Sequence, residues 1–377
     1  MADNAHFAAQ LPEGPLAAAV SGGVDSLCAL LLCLETGRPV LALHARLFAP
    51  ADEKAEAEAR QTEQRLRKLC EKLGCSFHVM ELEERFKQDV VLPFTAAYAN
   101  GLTPNPCSLC NRRIKFGAFW DYAKSLGAKA IVTGHYASLS HDHPYKGDAP
   151  MLCAARDKSK DQSYFISLVP RSTFAHAAFP LANLEKSRVR EIVASHGLQV
   201  PAPKESQEIC FVPQTKTLDY RSFLEESWRK EGKEIPGAGD IIEVDSGKVL
   251  GRHQGLWQYT EGQRQGLRIS WHAPLYVIGK RLADNALLVG TREHAVRSSA
   301  ALINPNFMVE PDELPESVLV RLRYRQKPVQ AKVRLEDGRL CIQCLEPVFL
   351  SAPGQTGVVL DDELRILAAG EIAAKNA

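Results

Sequence analysis

Six consecutive residues near the amino terminus have the composition of a phosphate-binding turn, and they are Ser21-Gly22-Gly23-Val24-Asp25-Ser26. The paired glycines let the backbone approach a ligand closely, and the N–H groups at the start of a helix attract anions. The serine hydroxyls would donate to phosphate oxygens, and the aspartate would help to hold Mg²⁺. No Gly-Lys-Ser/Thr follows, so this is not a Walker loop. Because the segment separates a predicted strand from a predicted helix, we interpret it as a nucleotide-binding turn and not as an ordinary tight turn.

The second group of reactive side chains comes from the ten cysteines. Five of them fall in periodic apolar stretches and are predicted to be reduced core residues: Cys28, Cys33, Cys70, Cys75 and Cys153. Cys341 and Cys344 are three apart on a predicted strand, so they should face opposite sides and be structural. Cys110 follows two prolines and precedes Asn-Arg-Arg, which predicts an exposed, electropositive setting that favours the thiolate.

The elements that must position these residues alternate between strand and helix in the first half of the chain. The predicted strands are Leu16–Val20, Pro39–His44, Ser76–Glu81 and Ala130–Thr133. The predicted helices are Asp25–Glu35, Glu53–Leu73 (stopped by Gly74) and Ala118–Leu126. Such alternation predicts an α/β domain with a doubly wound parallel sheet covered by helices on both faces.

The pattern changes after Pro201 and Pro203. A helix is predicted over Leu218–Lys230, and Asp245-Ser246-Gly247 separates two apolar runs as a hairpin turn does. From Ser270 onward, short strands with turns predict a small antiparallel barrel. We therefore predict a nucleotide-binding domain over 1–205, a small central α+β domain over 206–269 and a β-barrel domain over 270–377.

Composition places few limits on partners. The chain of 377 residues is 45% hydrophobic and carries a net charge of +1. No apolar run approaches the ~20 residues of a membrane span, and no signal peptide is apparent, so a cytoplasmic protein without a membrane partner is expected. The near-zero net charge argues weakly against nucleic acid, but basic residues cluster in two places: Arg112, Arg113 and Lys115, then Arg321, Arg323, Arg325 and Lys327. Arg323 and Arg325 alternate along a predicted strand, so they should point to one face, which suits contact with backbone phosphates.

The glycine-rich turn resembles the PP-loop of the ATP pyrophosphatases, which cleave ATP to AMP and pyrophosphate and activate a carbonyl oxygen as the adenylate. Further segments resemble the tRNA-specific 2-thiouridylases over nearly the whole chain. These segments are Thr103–Phe116, Thr133–Tyr136, Lys160–Phe165, Glu205-Ser206, Ile209–Phe211, Gly262–Arg264, Gly266-Leu267, Arg323–Gln326 and Pro353–Gln355. The resemblance implies an ATP-dependent sulfurtransferase that places sulfur at C2 of the wobble uridine of tRNA.

The resemblance also implies roles for individual residues. Cys110 would be the nucleophile and Cys210 the persulfide carrier, and the two would form a transient disulfide. ATP, with Mg²⁺, would be surrounded by Ala19, Val20, Ser21, Gly22, Gly23, Val24, Asp25, Ser26, Ala45 and Gly134. The tRNA would be contacted by Asn105, Pro106 and Cys107 beside the target base, and by His135, Lys160, Asp161, Gln162, Arg323, Tyr324 and Gln355. His135 has a second interpretation, as a buried histidine with satisfied hydrogen bonds.

The chain departs from the family pattern at Cys107, where most members have aspartate. Cys107, Cys110 and Cys210 could therefore instead hold a [4Fe–4S] cluster whose open iron delivers hydrosulfide. The sulfur would come from a donor protein or from inorganic sulfide, and a monomer is expected. Two other classes stay open: a PP-loop ligase or amidotransferase that uses an amine, and a non-catalytic tRNA-binding or sulfur-relay module.

Overall fold

The structure is a computed structural model that describes residues 5–49, 52–198, 209–212 and 219–374. Its first sheet is all parallel and has five strands: β1 Leu16–Ala19, β2 Val40–Arg46, β3 Ser76–Glu81, β4 Ala130–Val132 and β7 Ala177–Ala178. The strand order is β3-β2-β1-β4-β7. The order reverses at β1, so the carboxyl ends of β1 and β4 form the crevice in which doubly wound sheets bind their ligands.

The helices that cover this sheet are α1 Val24–Glu35, α2 Glu53–Leu73, α6 Phe119–Ser125 and α8 Lys186–Ser195. α1 is buried along eight consecutive residues, from Ser26 to Cys33. α2 is amphipathic and buries only Leu66 and Cys70. It ends at Gly74, whose left-handed backbone (φ 73°) closes the helix. The predicted doubly wound domain is confirmed.

A helical insertion between β3 and β4 carries the Cys-x-x-Cys segment. It contains α3 Glu83–Phe86, a π-helical stretch Lys87–Val91, α4 Leu92–Ala99, α5 Pro106–Cys110 and a second π-helical stretch Asn111–Ala118 that leads into α6. The second stretch is broken at Gly117, whose φ/ψ of −108°/−106° is not helical. π-Helical turns are uncommon and are often found at functional sites.

The remaining elements of the first domain are short. β5 Ala137–Ser140 and β6 Met151–Ala154 form an antiparallel hairpin, and α7 Ser163–Ile166 follows it. Two hydrogen bonds join Gln162 to Tyr136. The Gln162 N–H donates to the Tyr136 carbonyl (2.7 Å), and the Gln162 side-chain oxygen accepts from the Tyr136 N–H (3.0 Å).

The central unit begins with α9 Tyr220–Lys230 and contains one four-stranded sheet. Its strands are β8 Gly239–Glu243, β9 Val249–His253, β10 Tyr276–Arg281 and β11 Ala286–Gly290, in the order β10-β11-β8-β9. The predicted hairpin turn at 245–247 lies between β8 and β9. Because β11 pairs with β8, residues 276–290 belong to this sheet and not to the barrel, so the predicted boundary at 269/270 is too early. The boundary predicted at 205/206 lies outside the described residues.

The carboxy-terminal unit is a closed six-stranded antiparallel barrel. Its strands are β12 Val296–Phe307, β13 Ser317–Arg321, β14 Val329–Glu336, β15 Arg339–Phe349, β16 Thr356–Leu360 and β17 Ile366–Ile372. On β15, Cys344 faces the core and Cys341 is partly exposed, as the strand period predicts. No helix within the described ranges is long and apolar enough to cross a bilayer.

Candidate active site

The phosphate-binding turn is held in shape by its own serines. The Ser26 hydroxyl donates to the Gly23 carbonyl (2.9 Å) and accepts from the Ser21 N–H (3.1 Å). The turn follows β1 directly and opens into α1, and Ser21 and Gly23 remain exposed. The backbone N–H groups at the start of α1 therefore face the crevice, as an anion site requires.

Gly134 comes two residues after the neighbouring strand β4 and lies against this turn. A Cβ atom at Gly134 would come within 2.7 Å of the Asp25 carbonyl and 2.9 Å of the Ser26 nitrogen. Any larger residue would therefore push the two loops apart. On the other side of β1, Ala45 is near the carboxyl end of β2, and the His44 ring nitrogen Nδ1 lies 2.8 Å from the Val20 carbonyl. The structure thus brings the predicted ATP-binding residues to one edge of the sheet.

Asp25 has close partners that sequence reasoning missed. Both of its carboxylate oxygens contact Lys186 Nζ (2.8 and 2.7 Å), and the Tyr136 hydroxyl donates to one of them (2.9 Å). Lys186 is only 9% exposed although it is a lysine at the start of α8. A buried cation is retained only where it is paired with an opposite charge. The ion pair with Lys186 therefore holds the Asp25 carboxylate in position in the turn. The role of Lys186 becomes visible only in the structure, through its contact with Asp25, because the two residues are far apart in sequence.

The Cys-x-x-Cys segment forms the short helix α5. Asn105 caps it by accepting from the Ser108 N–H (3.3 Å), and Pro106 occupies its first turn. Cys107 is exposed, whereas Cys110, three residues later, is buried at 8% exposure. Cys110 packs with Phe86, Val90 and Ile114 in an apolar cluster.

The predicted exposed setting of Cys110 is therefore wrong. The following arginines, Arg112 and Arg113, are exposed and point elsewhere, since Arg113 pairs with Asp89 (3.6 Å). Burial raises the pKa of the Cys110 thiol to about 11, against the opposing effect of Lys115. At neutral pH this thiol is protonated in the described conformation.

Cys210 is brought to the same place by its neighbour Phe211. The Phe211 ring packs edge-on against Phe86 (5.6 Å) and Phe94 (5.2 Å) and contacts Phe223 of α9 (5.4 Å). These contacts seat residues 209–212 between the helical insertion and the central unit. Cys210 itself is exposed.

The three cysteines share one electrostatic environment. Charges on Cys107 and Cys210 both raise the pKa of Cys110, and Lys115 lowers the pKa of all three thiols. Although Cys107 and Cys210 are exposed, desolvation by surrounding protein atoms raises the pKa of each. The predicted nucleophile and persulfide carrier are therefore neighbours, and Lys115 is their common cation.

Lys115 also connects the thiols to the nucleotide edge of the sheet. Its ammonium lies 3.1 Å from His135 Nε2, and His135 Nδ1 lies 2.7 Å from the Thr133 hydroxyl. Burial and the charge of Lys115 hold the pKa of His135 well below its usual value, so the ring is neutral. Nε2 then accepts from Lys115 and Nδ1–H donates to Thr133. His135 follows Gly134, so Lys115, whose charge acts on the thiols, is joined through His135 to the loop that lies against the phosphate-binding turn.

A [4Fe–4S] cluster requires its cysteines to converge on one point. Across the described residues, no group of three His, Cys, Asp or Glu side chains is arranged to hold a metal ion. The three cysteines are neighbours but do not form a ligand set in this conformation, and they do not fit the cluster.

Several residues predicted to contact tRNA are buried or bonded within the protein. Asp161 is 5% exposed and pairs with Arg321 of the barrel (3.2 Å) while accepting from Ser163. Lys160 precedes it and is partly exposed. The tRNA contacts of these residues and of His135 stay predictions.

The predicted placement of Arg323 and Arg325 on one strand face is wrong. β13 ends at Arg321, and the chain turns at 323–325, where Arg325 has a positive φ of 65°. Arg323 and Arg325 are exposed, and each stacks over an aromatic ring, Phe349 and Tyr324 respectively. The turn, with Lys327, remains a basic surface.

The barrel supports α5 directly, which the sequence did not reveal. Gln355 Nε2 donates to the carbonyls of Thr103 (2.8 Å) and Pro104 (3.2 Å). The buried Thr356 hydroxyl lies between Asn105 Nδ2 (3.2 Å) and Ser108 Oγ (3.1 Å). The loop before β16 therefore fixes the approach to Cys107 and Cys110. The segment Glu205-Ser206, also part of the resemblance, lies outside the described residues.

Known protein families match three successive segments of the chain, one for each of the three structural units. Family models match residues 15–214 (tRNA methyl transferase HUP domain), 223–291 (tRNA methyl transferase PRC-barrel domain) and 297–372 (Aminomethyltransferase beta-barrel domain). The chain is 45% identical over 361 residues to the tRNA-specific 2-thiouridylase MnmA of Oleidesulfovibrio alaskensis, covering 95% of this chain and 99% of that one. It is 41% identical over 364 residues to the MnmA of Lawsonia intracellularis, covering 95% and 98%.

A solved structure, the U34-tRNA thiolase NcsA from Methanococcus maripaludis with its [4Fe-4S] cluster, covers 61% of this chain and 72% of its own. Its TM-score is 0.35 at 15% identity, too low to carry an argument.

The parallel sheet with a Ser-Gly-Gly turn at its switch point defines the class of PP-loop, ATP-using enzymes. The identity over nearly the full length narrows the class: the chain belongs to the tRNA-specific 2-thiouridylase family.

Proposed function

We propose that this protein thiolates C2 of the wobble uridine of tRNA, using ATP to form an adenylated uridine and a persulfide on Cys210 as the sulfur source. Family membership supports tRNA thiolation by a PP-loop enzyme. The observation that carries the finer proposal is the link from Lys115, whose charge acts on the thiols, through His135 to Gly134 and the phosphate-binding turn. It supports an activating site and a sulfur site that share one edge of the sheet.

In the first step, O2 of the uridine attacks the α-phosphate of ATP, and pyrophosphate leaves. In this step the N–H groups at the start of α1 and the exposed Ser21 hydroxyl bind phosphate oxygens, while the Ser26 hydroxyl keeps the turn in shape through the Gly23 carbonyl. Lys186 holds Asp25 in place beside them. Mg²⁺, when bound with ATP, would neutralise phosphate charge, and Asp25, the carboxylate of the turn, would help to hold it.

In the second step, the terminal sulfur of the Cys210 persulfide attacks C2. The Cys110 thiolate attacks Sγ of Cys210, the sulfur–sulfur bond of the persulfide breaks, and AMP leaves. The products are 2-thiouridine and a Cys110–Cys210 disulfide, which a dithiol reductant must reduce before the next turnover. The proximity of Cys110 and Cys210 supports this division of roles.

The buried thiol of Cys110 must lose its proton before it can attack. Lys115 is the cation that lowers its pKa, and the neutral His135 orients the Lys115 ammonium without adding a second positive charge. Bound tRNA that opened the cluster of Phe86, Val90 and Ile114 would expose Cys110 and remove part of the desolvation.

The test is thiolation of unmodified tRNA by anaerobically purified protein with ATP and a low-molecular-weight persulfide, which transfers sulfane sulfur to Cys210 without an added oxidant, combined with iron and acid-labile sulfide analysis of the same sample. The nucleosides are identified by mass spectrometry, and pyrophosphate is measured in parallel. We expect metal-free protein to form 2-thiouridine and to release pyrophosphate only when tRNA is present.

Activity that required iron would assign Cys107, Cys110 and Cys210 to a cluster and would reject the persulfide step. Pyrophosphate release without 2-thiouridine, coupled to consumption of an amine, would instead identify a PP-loop ligase. Binding of tRNA with no pyrophosphate at all would identify a non-catalytic module.

A further inference from the structure

A second pair of cysteines meets at the end of α2. The segment is Cys70-Glu71-Lys72-Leu73-Gly74-Cys75. The Gly74 N–H donates to the Glu71 carbonyl (3.2 Å), and the Cys75 N–H donates to the Cys70 carbonyl (3.0 Å). These are the two hydrogen bonds of a Schellman motif, which brings the side chain after the glycine against the one five residues earlier. Here both of those side chains are thiols.

The two thiols differ in exposure and in the direction in which their pKa values are shifted. Cys70 is fully buried, whereas Cys75 is partly exposed. The interaction between the two thiols lowers the pKa of Cys75 and raises that of Cys70, which burial raises further. A reachable thiol with thiolate character thus lies against a buried thiol that can resolve it.

The turn, not the sequence spacing, creates the pair. Cys28 and Cys33 have the same separation but lie within the uninterrupted helix α1. Five residues of α-helix rotate a side chain by about 500°, so these two point roughly 140° apart. Gly74, with its left-handed backbone, is the residue that folds Cys75 back onto Cys70.

We propose that Cys70 and Cys75 are an oxidant-reactive dithiol that closes to a disulfide when a hydroperoxide oxidises Cys75. The Cys75 thiolate attacks a peroxide oxygen, the oxygen–oxygen bond breaks, and Cys75 becomes a sulfenic acid. The Cys70 thiol then attacks that sulfur, the sulfur–sulfur bond forms, and water leaves. With hydrogen peroxide, two thiols and one peroxide give one disulfide and two waters.

The experiment uses the full chain with Cys107, Cys110 and Cys210 changed to serine, so that the thiols of the proposed active site do not react. The folded protein is treated with hydrogen peroxide, denatured, alkylated, digested with trypsin and analysed by mass spectrometry. Cleavage after Lys68, Lys72 and Arg85 separates the two cysteines into peptides 69–72 and 73–85. We expect these peptides to be joined by a disulfide and the alkylated thiols to fall by two per chain.

The matched control is internal, because Cys28 and Cys33 lie together in peptide 1–46, which trypsin does not cut at Arg38-Pro39, and should both remain alkylated. In the Cys75→Ser variant, Cys70 should stay reduced at the same peroxide dose. Recovery of Cys75 as a sulfinic acid beside reduced Cys70, a disulfide from Cys75 to Cys33, or reduced thiols at both positions would overturn the proposal. Circular dichroism before oxidation checks that each variant is folded.

Discussion

At the residue scale, the reactivity of Cys110 depends on two opposing influences. The apolar cluster around it disfavours the thiolate, and the ammonium of Lys115 favours it. The pKa of about 11 shows that burial dominates in the described conformation. Since only the thiolate is nucleophilic, a small change in either influence should alter the rate at which Cys110 reacts.

Replacing Lys115 by methionine should slow alkylation of Cys110. The change removes the nearby positive charge while keeping the length of the side chain, so the pKa of Cys110 should rise further. A rise of about half to one pKa unit lowers the thiolate fraction roughly three- to tenfold at fixed pH. The rate of iodoacetamide labelling of Cys110 at pH 8, measured by mass spectrometry, checks this.

Lys124→Met is the control for that measurement, because Lys124 is an exposed lysine that pairs with Asp121 on α6. Equal labelling of Cys110 in the two variants would mean that Lys115 does not support the thiolate. In Lys124→Met the labelling rate should rise with pH toward 11, the pKa of the folded thiol, and in Lys115→Met the same rise should come at higher pH.

Some of these residues could be predicted from the sequence and others could not. The phosphate-binding turn is local, so Ser21–Ser26 could be identified from composition and position alone. The burial of Cys110 could not, because it depends on Phe86 and Val90, which come from a helix more than fifteen residues earlier. The role of Lys186 could not be predicted for the same reason, since its partner Asp25 belongs to another helix.

At the element scale, α5 depends on the barrel for its position. Thr356 on β16 is 1% exposed, and its hydroxyl contacts both Asn105 and Ser108, the cap and the first turn of α5. The Tyr164 hydroxyl donates to the Thr356 carbonyl (2.5 Å) and fixes the strand from the other side. The helix that carries both cysteines is thereby tied to a strand about 250 residues away.

Thr356→Val should lower the free energy of unfolding by about 1–3 kcal/mol, because the buried Ser108 hydroxyl and the partly buried Asn105 amide lose their partner while the volume is kept. Thiolation should fall more than tRNA binding, since α5 would lose its position while the exposed basic surface stays intact. Urea unfolding, a tRNA binding titration and a thiolation assay measure the three quantities.

Thr356→Ser keeps the hydroxyl and should retain most of the stability and activity. If Thr356→Val and Thr356→Ser lost activity equally, the hydroxyl contacts to Asn105 and Ser108 would not be the reason that α5 is positioned.

Long, regular elements could be predicted, whereas short ones could not. The helix over 53–73 matches its predicted bounds because a charged amphipathic pattern runs to a glycine that ends it. α5 and the π-helical stretch after it were not predicted, since a few turns around two prolines and Gly117 give no clear period. The barrel strand predicted to carry Arg323 and Arg325 ends earlier, because the chain turns there.

At the scale of the whole molecule, Lys280 joins the central sheet to the helical insertion between β3 and β4. Its ammonium donates to the Gly101 carbonyl (2.8 Å) just after α4, and burial lowers the pKa of Lys280 to about 8. The strand that carries it, β10, pairs with β11, which in turn pairs with β8. This non-local pairing is why the predicted boundary at 269/270 was too early.

Lys280 should make stability depend on pH. Its pKa is lower in the folded than in the unfolded chain, so between about pH 8 and 10.5 the unfolded chain binds more protons and stability rises with pH. The gain is at most about 3 kcal/mol over that window, and it is absent below pH 8, where both states are protonated. Other groups also titrate there, so the difference from Lys280→Met isolates the effect.

Urea unfolding of the wild type and Lys280→Met at pH 7, 8, 9 and 10 measures this difference. The wild type should gain stability relative to the variant above pH 8. A difference that stayed constant with pH would contradict the buried, hydrogen-bonded lysine.

We propose that uridine activation and sulfur transfer are separable steps at one edge of the sheet. The most direct measurement compares tRNA-dependent pyrophosphate release with 2-thiouridine formation in the wild type, Cys110→Ser and Cys210→Ser. Both variants should still release pyrophosphate but form no 2-thiouridine. Formation of 2-thiouridine by a protein that lacks both cysteines would contradict it.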